Sequence, residues 1–182
     1  SVSLDGPTKS LTLGNGENVE ARSVIVATGS AYRKLGLADE DRLSGYGVSW
    51  CATCDGAFYR NKVVAVVGGG DSAMEEATFL TRFADKVYII HRSENIRASA
   101  VMKERAEQDP KIEFILNATV AHVYGDDLVS GVGLVDTITG EERTLDVSGL
   151  FIAIGSGPRT HVVHGQLELT SEGTIKVDGR SS

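Results

Sequence analysis

Cys51 and Cys54 are the only cysteines in a chain of 182 residues, and Asp55 adjoins the second of them. Three uses of such a pair compete. A zinc site would need two more ligands. There is no second C-x-x-C, and the histidines at 91, 122, 161 and 164 are scattered, so no metal is expected. A purely structural disulfide across so small a ring adds little, because the loop-closure contribution shrinks with loop length. A redox dithiol is the remaining use, and thiol–disulfide exchange then needs an accessible sulfur and a thiolate. A helix beginning near the pair, with Ser49 or Asp55 in its first turn, would bring both sulfurs to a positive helix end and lower the thiol pKa. Asp55 itself could manage a proton, cap that helix, or simply be solvated.

A second stretch that could do chemistry begins seventeen residues after Cys51, at Gly68-Gly69-Gly70-Asp71-Ser72-Ala73. The pattern is G-x-G-x-x-A. In such a turn the first glycine permits the tight exit from a strand, the second lets backbone approach a pyrophosphate, and the third small residue lets helix and strand pack closely. The phosphates then sit at a helix N-terminus, where free N–H groups and the dipole favour negative charge. The context fits. Val63-Val64-Ala65-Val66-Val67 upstream reads as a strand buried on both faces, and a helical pattern runs from Asp71 to about Phe83. The next strand, from Lys86 to Ile90, ends at His91-Arg92-Ser93, with Arg97 following. An acid at that strand end would favour NAD, whereas basic side chains favour the 2′-phosphate of NADP. Here the basic side chains point to NADPH, with a solvated basic turn as the alternative use of Arg92 and Arg97.

The elements that must position these residues follow an α/β order. Residues 1–30 read as short strands with turns at Asp5-Gly6-Pro7 and Gly14-Asn15-Gly16, ending in a buried strand, Ser23-Val24-Ile25-Val26-Ala27-Thr28-Gly29. Residues 31–50 have no sustained period and read as a linker. After the β-α-β unit, residues 98–108 predict a helix stopped by Pro110, and Ile112–Leu116 a strand. A β-meander is predicted over Thr119–Tyr124, Val129–Thr137 and Glu142–Val147. Leu150–Ile154 predicts a further buried strand that exits through Gly155-Ser156-Gly157-Pro158, and Thr174–Val177 a last short one.

Composition narrows the class. Net charge is −7 and the pI about 5.1, unlike the clustered basic footprint of a nucleic-acid binder. No apolar run approaches the ~20 residues of a membrane helix, and no leader is visible, so neither nucleic acid nor membrane is expected as a partner and a cytoplasmic location is.

Cys51-Ala52-Thr53-Cys54-Asp55-Gly56, Gly68-Gly69-Gly70-Asp71-Ser72-Ala73 and His91-Arg92 together resemble the low-molecular-weight, FAD-containing, NADPH-dependent thioredoxin reductases, and the resemblance runs along nearly the whole chain. It implies the two-dinucleotide-binding-domain flavoprotein fold: a Rossmann-like domain of parallel sheet, helices and β-meander, with the edges of a split FAD domain. The implied boundaries are 1–35 for part of the FAD domain and linker, 36–158 for the NADPH domain with its C-x-x-C, and 159–182 for the start of the returning FAD-domain segment. Cys54 would face the flavin, Cys51 would attack thioredoxin, and Asp55 would serve as acid and base. Gly68 to Ala73, Glu75, His91, Arg92, Arg97, Ile154 and Gly155 would bind NADPH, and Ala27, Thr28 and Gly29 would lie beside FAD. The intact enzyme would be a homodimer, with hinges in residues 31–47 and Gly155–Pro158. The G-x-G-x-x-G of the FAD domain and its C-terminal Gly-Asp segment are absent, so the chain reads as a fragment of that enzyme, inactive alone. The reductase subunit of an alkyl hydroperoxide system and a non-catalytic NADPH-binding module are the alternatives. Two positions depart from the family: Trp50 stands where a small residue is common, and Ser93 where a second arginine is.

Overall fold

The structure, a computed structural model, describes residues 1–179. In chain order the strands and helices are β1 (Val2–Ser3), β2 (Lys9–Thr12), β3 (Asn18–Ala21), β4 (Ser30–Tyr32), β5 (Val48–Ser49), α1 (Ala52–Asp55), β6 (Val63–Val67), α2 (Asp71–Leu80), β7 (Lys86–Ile90), α3 (Ala100–Glu107), β8 (Ile112–Ile115), β9 (Ala118–Tyr124), β10 (Gly131–Asp136), β11 (Glu142–Leu145), β12 (Gly149–Ile152) and β13 (Ser156–Pro158). They divide into two compact units, one of residues 33–155 and one of residues 1–32 with 156–182, its last three residues outside those described.

The larger unit is a three-layer α/β fold. Its central sheet is parallel, in the order β5-β12-β6-β7-β8. Side chains alternate across a strand, so each strand serves both faces. Val64, Val66, Val87, Ile89 and Phe151 join Ala73, Met74, Ala77, Leu80 and Ala106 in a core beneath α2 and α3. Ala65, Val67, Ile90, Leu150 and Ile152 join Val120, Val132 and Leu134 in a second core beneath the antiparallel meander β9–β11. Both faces of β6 are covered, which is why the run Val63–Val67 is apolar throughout rather than alternating. The predicted meander, the β-α-β unit and the strand after it are all present. The helix expected to reach Phe83 closes at Leu80, where the chain passes into turns.

Of the stretch read as a linker, residues 33–50 are built into this unit. Leu43 and Val48 are in the meander-side core, and buried Glu40 accepts the backbone N–H groups of Leu35, Gly36 and Leu37 at 2.7–3.2 Å. One carboxylate thus replaces the regular ladder that periodicity would have revealed.

The smaller unit holds the antiparallel sheet β1-β2-β3 and the antiparallel pair β4 and β13. The buried strand expected over 23–29 does not form. Ser23–Gly29 pairs with no strand among the described residues, and Ile25 is 92% exposed. β-branched composition favours a pleated, half-buried surface, and without neighbours to supply one it has nothing to favour. The last predicted strand, Thr174–Val177, is reduced to a single bridge between Leu169 and Ile175.

Candidate redox and dinucleotide site

The parallel order of the central sheet collects the predicted chemistry at one edge. β5 runs into Trp50 and Cys51, β6 into Gly68, β7 into His91, and β12 into Ala153, Ile154 and Gly155. These are all carboxyl ends of neighbouring parallel strands. β6 leads to β7 on one side and has β12 on the other, so the crevice outside β6 and β12 is a topological switch point.

Cys51 and Cys54 form a disulfide. The helix expected near them is a single turn, α1, with Asp55 in its first turn and Ser49 outside it; Cys51 is its N-cap, the sulfur accepting from the Cys54 N–H at 3.2 Å. Asp55 ends the turn. Its carboxylate accepts the Ser49 hydroxyl at 2.6 Å, and the same Ser49 oxygen accepts the Cys51 N–H at 3.1 Å. Ser49 therefore links the carboxylate to the backbone of the first cysteine, a role the sequence did not disclose. Cys54 is exposed and Cys51 partly covered. Trp50 packs against the Leu43 and Val48 core; among the described residues its buried indole N–H finds no acceptor.

Beside the disulfide turn lies a cavity of about 260 Å³ lined by Tyr46, Asp55, Phe58, Tyr59, Lys62 and Leu128. Phe58, Tyr46 and Leu128 are exposed, an unusual grouping of large apolar side chains around one carboxylate. Tyr59 is buried against Gly149, where a Cβ would stand 2.3 Å from its ring, and burial, then the Asp55 charge, raises its phenol pKa.

The glycine turn has the geometry its pattern predicts. A Cβ on Gly68 would meet the Ala153 carbonyl oxygen at 2.4 Å and the Ala73 Cβ at 2.7 Å, so both small residues are required for strand and helix to close. Gly70, the N-cap of α2, has nothing within 4 Å of its Cβ direction. That open space at a helix N-terminus fits a pyrophosphate. Ser72 and Glu75 are exposed on the first turns of α2. Asp71 is engaged: its carboxylate accepts the Ser99 N–H at 2.6 Å.

His91 is buried with its ring against Gly69, where a Cβ would lie 2.3 Å from the imidazole. Its Nε2 lies 3.3 Å from the Asn95 carbonyl, which can only accept, so Nε2 carries the hydrogen in that contact. Burial pushes the imidazole pKa down, the Asn95 contact opposes this, and the Arg92 and Arg97 charges add to the lowering. Arg92 and Arg97 are exposed and, among the described residues, in no ion pair. Glu94, the one nearby acid, accepts from Asn117 at 3.2 Å. The loop therefore offers two unpaired guanidiniums at the strand end and no free acid at its start, which fits a 2′-phosphate. Ile154 is half-buried against the meander-side core, and Gly155, with φ +90°, is exposed. In the smaller unit Ala27, Thr28 and Gly29 are exposed, and Gly29 takes φ +64° while its carbonyl accepts the Arg159 N–H.

The helical pattern from Asp71 places Glu76 with Glu75 and Arg82, away from the apolar stripe of Ala73, Ala77 and Leu80, but the structure turns it inward. Its Oε2 is buried without a hydrogen-bond partner among the described residues, and burial, helped by Glu75, raises its pKa to about 7. Its position, one turn before the buried Leu80, was the only available signal.

A family model described as pyridine nucleotide-disulphide oxidoreductase matches residues 1–182. The chain is 54% identical over 181 residues to a thioredoxin reductase of Mycolicibacterium smegmatis, covering 100% of this chain and 58% of that one. It is 55% identical to a thioredoxin reductase of Streptomyces coelicolor, covering 100% and 56%. It thus spans somewhat over half the length of these relatives. Among solved structures, Lactococcus lactis thioredoxin reductase superposes with a TM-score of 0.86 at 36% identity, covering 97% of this chain and 58% of that one. Among the described residues no helix is long and apolar enough to cross a membrane, and no cluster suits a metal ion.

Proposed function

We propose a function from one premise: the chain belongs to the pyridine nucleotide-disulphide oxidoreductase family. The protein that contains it is a thioredoxin-disulfide reductase, a cytoplasmic homodimer using NADPH and FAD. The single observation that carries this reading is the meeting of a disulfide and a phosphate-accepting glycine turn at the carboxyl edge of one parallel sheet. Relatives that align along the entire chain bear the name thioredoxin reductase.

When bound, NADPH supplies a hydride and FAD relays its two electrons to the disulfide. The chain's own residues bind, orient and handle protons. Gly70 leaves room for the pyrophosphate at the start of α2, with Gly68, Gly69 and Ala73 shaping the turn. Ser72, Glu75, Ile154 and Gly155 would border the nicotinamide half, Arg92 and Arg97 would hold the 2′-phosphate, and Ala27, Thr28 and Gly29 would lie beside the flavin.

Reduction of the disulfide takes up two electrons and two protons. A sulfur at Cys51 already accepts the Cys54 N–H, and the same donor favours its thiolate over its thiol. Asp55, held by Ser49, exchanges the proton. The Cys51 thiolate attacks one sulfur of the thioredoxin disulfide and releases the other as a thiolate, which takes a proton. Cys54 then attacks Cys51, restoring the disulfide and freeing dithiol thioredoxin. The cavity rimmed by the exposed side chains of Tyr46, Phe58 and Leu128, beside the disulfide turn, would receive the thioredoxin surface that presents its disulfide. Hinges within residues 31–47 and Gly155–Pro158 are supported by the chain's crossings between units at residues 32–33 and 155–156.

The test compares NADPH with NADH binding by nicotinamide fluorescence in the wild type and Arg92→Ala. NADPH preferred by roughly a hundredfold, falling about tenfold or more in the variant, supports the site. Equal affinities in the wild type refute it. In the full-length protein, Cys54→Ser abolishes thioredoxin reduction while leaving NADPH binding intact.

A further inference from the structure

Arg92 and Arg97 can grip a 2′-phosphate only if residues 91–99 are held over the glycine turn; Thr137 and Asn117 hold Arg92 and Glu94 from the meander side, and three contacts tie the segment to the turn itself. The His91 ring lies on Gly69. The Arg97 N–H donates to the Gly69 carbonyl at 2.7 Å. The Ser99 N–H donates to Asp71 Oδ1 at 2.6 Å. Only the third uses a side chain of the glycine turn.

Asp71 is in an awkward place for a ligand contact. It is the first residue of α2, where the helix dipole draws anions, and a free carboxylate there would repel the phosphate that the open space at Gly70 invites. Bonded to Ser99, it is instead tied to the residue that precedes α3. We infer that Asp71, which the resemblance groups with the NADPH-binding residues, is instead a positioning residue: its carboxylate fastens the start of α3 to the start of α2, sets Arg97 over the 2′-phosphate, and so determines the preference for NADPH over NADH without touching the nucleotide. This rests on the NADPH site proposed above.

Ser99 supplies an independent handle. Its φ is −57°, close to the angle a proline ring imposes, and as an N-cap its N–H makes no bond within α3. Ser99→Pro therefore removes the donor with little change to the backbone, while Asp71→Ala removes the acceptor. The experiment measures NADPH and NADH dissociation constants for the wild type, Asp71→Ala, Asp71→Asn, Ser99→Pro and the Asp71→Ala/Ser99→Pro double variant. Each of Asp71→Ala and Ser99→Pro lowers the NADPH preference about tenfold, the scale of one charge-assisted hydrogen bond, and NADH affinity stays within about twofold. Asp71→Asn, which keeps a neutral acceptor, recovers part of the preference, and the double variant is no worse than either single one. Unchanged preference, additive losses, or equal weakening of both nucleotides overturns the inference. A wild type with no NADPH preference overturns the phosphate clamp itself, and this inference with it.

Discussion

Val63–Val67 and Ser23–Thr28 look alike in sequence: each is a short run rich in β-branched residues and followed by a glycine, Gly68 and Gly29. One is a buried parallel strand at the centre of the molecule's largest sheet, and the other is irregular with Ile25 at 92% exposure. The difference lies in what surrounds them. Val63–Val67 has strands on both edges, α2 on one face and the meander on the other. Ser23–Gly29 has no paired strand among the described residues. Burial of apolar side chains, worth roughly 25 cal/mol per Å², is realised only where other elements remove them from water. The same glycine ending then diverges in meaning. Gly68 is enforced by contact with Ala153 and Ala73, whereas Gly29 is enforced by its own φ of +64° with nothing near its Cβ direction.

Unfolding measurements on the chain can break or sharpen this contrast. Ile89→Ala, beneath α2 in the strand beside β6, destabilises by about 2–5 kcal/mol in urea titrations. A cost below about 1 kcal/mol would mean that this core is loose. Gly68→Ala forces a methyl group against the Ala153 carbonyl and costs about 1–3 kcal/mol by the same assay, with nucleotide binding lost alongside.

Glu76→Gln tests the buried carboxyl on α2. The folded-state pKa is near 7 against 4.5 for the free group, so between those values the folded chain holds the proton more tightly. Stability from this group is complete below pH 4.5 and is lost as pH rises through about 7. The amide variant cannot ionise, so it should exceed the wild type by about 1–2 kcal/mol at pH 8 and match it at pH 4. Parallel pH profiles for the two proteins would show that Glu76 is solvated after all. The smallest effect is at the other end of the comparison: Ile25→Ala changes stability by less than about 0.5 kcal/mol. A loss like that of Ile89→Ala would place Ile25 in a core.

Much of the larger unit was legible. The five-residue apolar run, the glycine turn and the following strand specify a β-α-β unit by local pattern, because period and turn chemistry are properties of neighbouring residues. The meander was legible for the same reason. Residues 33–50 were not, since Glu40 satisfies three backbone N–H groups there through one side chain and leaves no period to read. Ser49 was visible only as a residue near a helix start, and its bonds to both Asp55 and Cys51 depend on how β5 delivers the chain to α1. Trp50, ambiguous in sequence, settles against the core.

What the sequence determined by itself is the chemical inventory and its local scaffolds: a dithiol with an adjacent carboxylate, a glycine turn between strand and helix, and arginines after the next strand. Residue type and short spacing carry that information, because thiol pairing, tight turns and helix starts are settled within a few residues. Only the tertiary structure decided which of these share an edge, which apolar run becomes a strand, and that Asp71 turns to Ser99. Those outcomes depend on strand order and on partners far away in the chain, and no local pattern encodes them.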